Sequence, residues 1–360
     1  MIFRKNGIFS PMLVSFFAAS VASQAVAGKS DGKLIAPPAD LKIAFTGDTD
    51  TTPEGDAVLQ LVKKKGAQAL LVAGDLNYEK SNAKTWEQHI DSNLGPDFPV
   101  IAARGNHDKP WTSKGHYLER LTARWNKLQD KGVLTWSGQP GMASTVKFNG
   151  LSFVSVAPSN GVSHEDSAQY ILDSAQNDDS MWRVAMWHEN MPAFRGNAGC
   201  GGGKDLVGWE VFEASREIGA FIINGHNHNY SRSKALSCTG GACSVEKSSK
   251  CKTGGELPIV DKSAADPVNS IVMKPGSTFV MLVGMGGHDN GRISNTGPWW
   301  AKQGGGGCEA EGAPCTVSNH GATICTFNPG GKDPRKANCE FVDIDGKVID
   351  TYTLTSEIGK

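Results

Sequence analysis

No cysteine precedes Cys200, and neither charge sign dominates: 36 Lys and Arg against 37 Asp and Glu leave a formal charge of −1. So little excess charge gives no support for nucleic acid or an anionic membrane as a partner. No Cys-x-x-Cys pair occurs, which argues against a cysteine-bound zinc. No internal repeat is visible. Long hydrophobic runs are also missing. The apolar stretch Pro11–Ala22 is shorter than the roughly 20 residues that a bilayer crossing takes, and nothing later in the chain is longer and as apolar.

What is present at the N-terminus has a different meaning. Arg4 and Lys5 precede that apolar stretch, and Ala25-Val26-Ala27 follows it just before Gly28. A positive start, a short apolar core and an A-x-A site form the pattern of a secretory signal peptide. Cleavage is expected after Ala27, and no Cys lies near the cut to be lipidated. Removing residues 1–27 takes away two basic residues and no acidic one, which moves the charge from −1 to −3. The expected product is a secreted or periplasmic chain, residues 28–360, forming a single domain.

The eight cysteines then read as disulfides: Cys200, Cys238, Cys243, Cys251, Cys308, Cys315, Cys325 and Cys339. An oxidising compartment lets such bonds persist. Eight cysteines allow about 105 connectivities, so only one pair is proposed. Cys325 and Cys339 flank an apparent hairpin through Asn328-Pro-Gly-Gly331.

The N-terminal half alternates strand-like runs with helical patterns. Leu41–Thr46 predicts a strand, and Thr52 an N-cap with Pro53 at the first helical position and Glu54 and Asp56 in the first turn. Ala69–Ala73 reads as a strand, the segment near Thr85–Ser92 as a helix, and Pro99–Ala103 as a strand. Strands are also expected at Phe153–Ala157, Trp182–Met186, Ala220–Asn224 and Thr278–Val283. Strand–helix–strand units of about 30 residues predict an α/β fold with a largely parallel, buried sheet. Residues 231–276 lose this periodicity and read as an irregular Cys-containing insertion. Gly304–Gly307 reads as turn-rich. Three last strands are expected near Ala322–Thr326, Cys339–Ile344 and Val348–Leu354.

Five short clusters each follow a predicted strand: Gly47-Asp48-Thr49-Asp50, Gly74-Asp75-Leu76-Asn77-Tyr78, Gly105-Asn106-His107-Asp108, Trp187-His188 and Gly225-His226-Asn227-His228. In α/β sheets the loops beyond the strand carboxyl ends converge on one edge, where ligands bind. Asp and Tyr oxygens favour hard cations, imidazoles suit iron, zinc or nickel, and a carboxylate can bridge two ions. Two ions about 3.5–4 Å apart can hold a phosphate and an in-line nucleophile. Taken singly, Asp48 and Asp75 read equally well as helix caps, and Tyr78 as a core aromatic with a bonded hydroxyl.

Together, in this order and spacing, the clusters resemble the calcineurin-like metallophosphoesterase superfamily, and within it the purple acid phosphatases. The pattern is D-x-G, G-D-x-x-Y, G-N-H-D/E, V-x-x-H, G-H-x-H, and the resemblance runs from about Leu41 to Leu354. It implies a four-layer α/β/β/α sandwich of two mixed sheets flanked by helices, with the last three strands completing the second sheet. It implies Asp48, Tyr78 and His228 on a first metal, Fe(III) in the purple enzymes, and Asn106, His188 and His226 on a second, Fe, Zn or Mn, with Asp75 bridging. His107 would contact the phosphate and assist the leaving group, and Asp108 would orient it. The implied reaction is hydrolysis of phosphate monoesters by a hydroxide held on the metals. A phosphodiesterase or nucleotidase with the same core, and a non-catalytic exported binding or adhesion protein, are the alternatives.

Two positions depart from the pattern. Asp50 stands where the purple enzymes have Gly and the wider superfamily His, so it is either a metal ligand or a carboxylate behind the ligands. In the fourth motif Ala185 is three residues before His188, with Val184 one place early. His164 and His288 are candidates for lining a substrate pocket. Arg104 and Arg195 read as solvated, His89, His116 and His320 as structural, and Trp299-Trp300 as core.

Overall fold

A computed structural model describes residues 33–78, 83–195, 207–246, 255–293, 297–308 and 314–360. The expected signal peptide, Cys200 and Cys251 lie outside the described residues. In chain order the elements are β1 (Leu41–Thr46), α1 (Pro53–Lys64), β2 (Ala69–Val72), α2 (Ala83–Leu94), β3 (Val100–Ala102), α3 (Tyr117–Asp130), β4 (Thr135–Gln139), β5 (Ala143–Phe148) and β6 (Leu151–Val156). They continue with α4 (His164–Ser174), β7 (Trp182–Met186), α5 (Trp209–Glu217), β8 (Phe221–Asn224) and β9 (Tyr230–Ser233), and later strands are given by their residues.

Two mixed sheets result. One runs Ser270–Met273, Val348–Ser356, Lys336–Asp343, Gly321–Phe327, β1, β2, β3, with β1, β2 and β3 parallel. The other runs Cys315–Val317, Trp300–Gly305, β9, Val280–Val283, β8, β7, β6, β5, β4. Alternation of side chains along each strand divides the core into three. Ile43 and Phe45 of β1 meet Val184 and Met186 of β7 and Phe221 and Ile223 of β8 between the sheets. Ala44, Leu70 and Val72 turn outward onto Val58 and Val62 of α1 and Trp86 and Ile90 of α2. On the far side Val154, Ala185 and Ile222 pack against Ile171 of α4 and Phe212 of α5. Both faces of each central strand are buried, so these strands read as near-continuous apolar runs. The arrangement is the α/β/β/α sandwich expected.

Local chemistry accounts for the elements read from sequence. Thr52 Oγ1 accepts from Gly55 N at 3.1 Å with Pro53 opening α1, a cap of the type that stabilises a helix by about 1 kcal/mol. Cys325 and Cys339 face each other across the Gly321–Phe327/Lys336–Asp343 ladder and are bonded. Further disulfides join Cys238 to Cys243 and Cys308 to Cys315.

Other expectations need correction. The last strands extend the first sheet, not the second: Gly321–Phe327 pairs antiparallel with β1, from Leu41↔Phe327 to Phe45↔Thr323. The 231–276 stretch is not irregular throughout. It begins inside β9, forms a short ladder of Leu236–Cys238 with Ile259–Val260, and ends as the edge strand Ser270–Met273. Gly304 and Gly305 lie in a strand, not a turn. A Cβ on Gly304 would come within 2.9 Å of Ser318 Oγ and 3.0 Å of Ile349, so glycine there serves close packing.

A buried ion pair spans the two sheets. Arg232 of β9, fully buried, places Nε 2.6 Å from Asp350 Oδ2 and Nη2 3.0 Å from Oδ1, while Tyr230 Oη donates to Oδ2 at 2.8 Å. The guanidinium also donates to Val268 O and lies 4.3 Å from the Tyr352 ring centre.

Candidate metal centre

Asp48 follows β1, Asp75 follows β2, Asn106 follows β3, His188 follows β7, and His226 and His228 follow β8. The structure brings these and Tyr78 together. Tyr78 Oη lies 2.8 Å from Asp48 Oδ1, 3.1 Å from Asp75 Oδ2 and 2.9 Å from His228 Nε2. His188 Nε2 lies 3.0 Å from Asp75 Oδ2 and 3.1 Å from Asn106 Oδ1, and His226 Nδ1 is 3.1 Å from the same Asn106 oxygen. Asp48, Asp75 and His188 are buried and offer ligand atoms within 4.8 Å of one another.

The turn that aims the donors falls on the donors themselves. Asp48, Asp75 and His226 adopt φ of 54°, 49° and 69°, in the left-handed region that few residues other than glycine enter and that clusters at functional sites. The glycines beside them mostly give space. A Cβ on Gly105 would lie 2.1 Å from Asp75 Oδ1, and one on Gly225 2.6 Å from Asp48 Oδ2. Only Gly74, at φ +81°, combines both demands, since its Cβ would also meet His188 at 2.6 Å.

The donor set fits a pair of cations. His188 Nδ1 faces the Ala73 carbonyl at 2.8 Å, which can only accept, so Nδ1 is protonated and Nε2, which pairs with Asp75, is the nitrogen a metal would take in place of its proton. That nitrogen, the Asn106 oxygen, two carboxylates and the His228 nitrogen converge. Lone pairs so arranged call for a cation, and the mixture of oxygen and imidazole suits a harder and a softer ion.

Electrostatics tie the group further. Burial would raise the Asp75 carboxyl, but the hydrogen bond and charge of His188 outweigh it and leave it at about 2. Burial would lower His188, yet the Asp48 and Asp75 carboxylates hold it up at about 9. Burial, then the charges of His188 and Arg195, depress His226 to about 4. Burial and the nearby carboxylates push the Tyr78 phenol well above its usual range.

The remaining candidates separate. His107 is exposed, its ring 4.6 Å from that of Tyr78, and its N donates to Asp75 Oδ1 at 2.8 Å. Asp108 is buried, and its contacts are not with the His107 ring. Oδ1 accepts from Leu76 N and Oδ2 from Gly105 N, at 2.8 and 2.7 Å. It therefore sews the third cluster to the second instead of orienting His107. Asp50 accepts from His288, which stacks on Tyr78. His164 meets Ser159 Oγ at 2.8 Å and Glu210 at 3.8 Å. Trp299 and Trp300 are core. Arg104 donates to Asn160 O, whereas Arg195 meets the outer nitrogen of His226. The sequence reading missed that contact. Its only signal was a cation seven residues after His188.

Gly105→Ala is expected to displace the Asp75 carboxylate and weaken metal binding by tenfold or more, an order-of-magnitude figure for disturbing a ligand's supports. Elemental analysis of the purified variant, with circular dichroism as a check on folding, measures it.

Polar clusters gathered at the strand ends of an α/β/β/α sandwich form a candidate site for metal ions. A family model described as calcineurin-like phosphoesterase matches residues 41–230, more than half of the 360-residue chain, and the chain belongs to that family. The fold is similar to that of the purple acid phosphatase PPD1 from seeds of yellow lupin (Lupinus luteus), with 14% identity, TM-score 0.55, and coverage of 88% of this chain and 54% of that one. This chain thus spans about half the length of the lupin protein. It is also similar to GAP50, the anchor in the inner membrane complex of Plasmodium, with 11% identity, TM-score 0.50, and coverage of 89% and 90%. At these identities the likeness is one of fold. No curated protein matches the chain in sequence.

Proposed function

We propose that the chain is an exported phosphoesterase that hydrolyses phosphate monoesters at a dinuclear metal centre, in the manner of the purple acid phosphatases. The observation that supports it most is the convergence of seven side chains from five separate loops, each within hydrogen-bonding distance of another. Asp48, Tyr78 and His228 would hold a first ion, Fe(III) by analogy with the purple enzymes, and Asn106, His188 and His226 a second, Fe, Zn or Mn. Asp75 would bridge, because its Oδ2 reaches both Tyr78 and His188. Two such ions, when bound, supply Lewis-acid stabilisation of the phosphate oxygens and an activated water.

The chain's own residues handle protons and position. As the bond from phosphorus to the leaving oxygen breaks and one to the water oxygen forms, the exposed His107 ring gives a proton to the leaving oxygen. Asp75 holds the His107 backbone in place for this, and Asp108 fixes the loop from behind. Arg195, on His226, adds positive charge beside the second position. Export rests on the N-terminal pattern, and the disulfides are compatible with an oxidising compartment outside the cytoplasm. No helix among the described residues is long and apolar enough to cross a membrane.

Turnover of aryl phosphate mono- and diesters by the purified chain, with elemental analysis and a visible spectrum, tests the reading. Monoesters are expected to turn over faster. His107→Ala should keep both ions and lose about 10²–10⁴ in kcat, and Tyr78→Phe should remove a visible band. Metal-loaded protein inert on both esters sinks the proposal. A diester preference moves it to a phosphodiesterase, and a colourless protein removes the purple branch.

A further inference from the structure

Asp50, for which the sequence leaves two roles open, has a partner 238 residues away: its Oδ2 meets His288 Nδ1 at 2.8 Å. A carboxylate only accepts, so Nδ1 carries the proton and Nε2 keeps the lone pair. The ring is fixed a second time by stacking on Tyr78, with centroids 3.3 Å apart and planes 1° from parallel. Its backbone is fixed too. His288 N donates to Asp48 O at 3.2 Å, Gly287 bridges to Thr49, and Thr52 Oγ1 donates to Gly287 O at 2.7 Å.

This ring meets His228 edge-on at 5.1 Å. His228, His288 and Asp289 each present a ligand atom, all within 4.8 Å of one another. Ligands about 2.0–2.2 Å from a first-row metal ion stand at most a little over 4 Å apart across it, so the spacing is of the order such an ion needs. Two imidazoles and a carboxylate suit zinc, manganese or iron. An imidazole whose other nitrogen donates to a carboxylate is also the arrangement that sets the tautomer of a metal-bound histidine and raises its basicity.

We propose that His288 and Asp289 are further ligands of the ion held at His228, and that Asp50 is not a ligand but the residue that positions His288. The inference rests on the dinuclear reading above and extends its first-metal corner. It also gives the Asp at position 50 a reason: a glycine there would leave His288 Nδ1–H without its acceptor. Asp289 is largely exposed, so this side of the ion faces the mouth of the site.

Equilibrium titration of the purified full chain with zinc or manganese against a chelator of known strength tests it, with elemental analysis giving stoichiometry. Wild-type protein should hold two ions. His288→Ala and Asp289→Ala should weaken one of them about ten- to a hundredfold and leave the other unchanged. His288→Gln substitutes if the alanine variant does not fold. Asp50→Ala should weaken the same ion less, and Asp50→Asn, which keeps an acceptor for Nδ1–H, should restore most of it. Asp50→Ala combined with His288→Ala should be no worse than His288→Ala alone. Two ions held at wild-type affinity by both His288→Ala and Asp289→Ala would overturn the inference while leaving the dinuclear centre standing. So would a greater loss in Asp50→Ala than in His288→Ala, which makes Asp50 the ligand. A wild-type chain that holds no metal overturns the dinuclear reading itself.

Discussion

Asp75→Ala is expected to release both metal ions and to lower kcat/KM by at least about a thousandfold, roughly 4 kcal/mol of transition-state stabilisation. The Asp75 carboxylate touches three parts of the centre. Oδ2 lies within 3.1 Å of Tyr78 Oη and 3.0 Å of His188 Nε2, while Oδ1 holds the backbone of His107. Its loss therefore removes the bridge, unpairs a buried imidazole and loosens the loop that carries the proton donor. Asp75→Asn separates these effects: it keeps the shape and an acceptor for His107 N but drops the charge. A ligand that binds only the folded state raises stability by about 2.7 kcal/mol at a hundred times its Kd. Differential scanning calorimetry with and without metal should show that increment in the wild type and lose it in both variants. Retention of both ions by Asp75→Ala, shown by elemental analysis, contradicts the bridging role.

The donors were legible because the chemistry demands residue types that sequence displays, placed where strands end. β1 and β7 match their predicted bounds, and α1 begins at the predicted cap. Both strands are buried on two faces, so their apolar runs stand out. Other elements were legible but went unread: Tyr117, Leu121, Trp125 and Leu128 of α3 are buried at helical spacing. The β4–β5 hairpin was harder, since Thr135–Gln139 is almost wholly exposed and has no apolar face to betray it.

Other features depend on contacts between distant segments, which spacing does not encode. His288 is adjacent to Asp50 only because Gly287 docks against the start of α1, where its Cβ would come within 2.4 Å of Gly55. Asp108 looks like part of the catalytic cluster because it is next to His107 in sequence. Its carboxylate is turned the other way, into backbone N–H groups, and burial, then the Asp75 charge, raises it to about 7 despite them. The addition of the last strands to β1 is likewise a matter of register, and the sequence of those strands fits either sheet.

Asp350→Ala carries the largest expected cost to stability, about 3–5 kcal/mol, because it strands a fully buried arginine without its counter-charge. Arg232 owes its raised pKa to that carboxylate: burial alone would lower it, and the Asp350 hydrogen bonds and charge reverse the direction. The same substitution leaves Tyr230 Oη without its acceptor, and both losses fall between the two sheets. If the cost lies in the unpaired charge more than in the lost attraction, Arg232→Met with Asp350→Leu should be markedly less destabilised than Asp350→Ala alone. Urea unfolding of the wild type and the two variants measures this, with the midpoint compared at constant slope. Equal loss in the double and the single variant would mean that the ion pair itself, and not its desolvated remnant, holds the sheets in place. The expected order puts the pair's value in specifying how β9 and Val348–Ser356 face each other. β9 follows directly on the His226–His228 loop, and Val348–Ser356 connects through Lys336–Asp343 and Gly321–Phe327 to β1, which ends at Asp48, so an error in their docking would be passed to the metal centre.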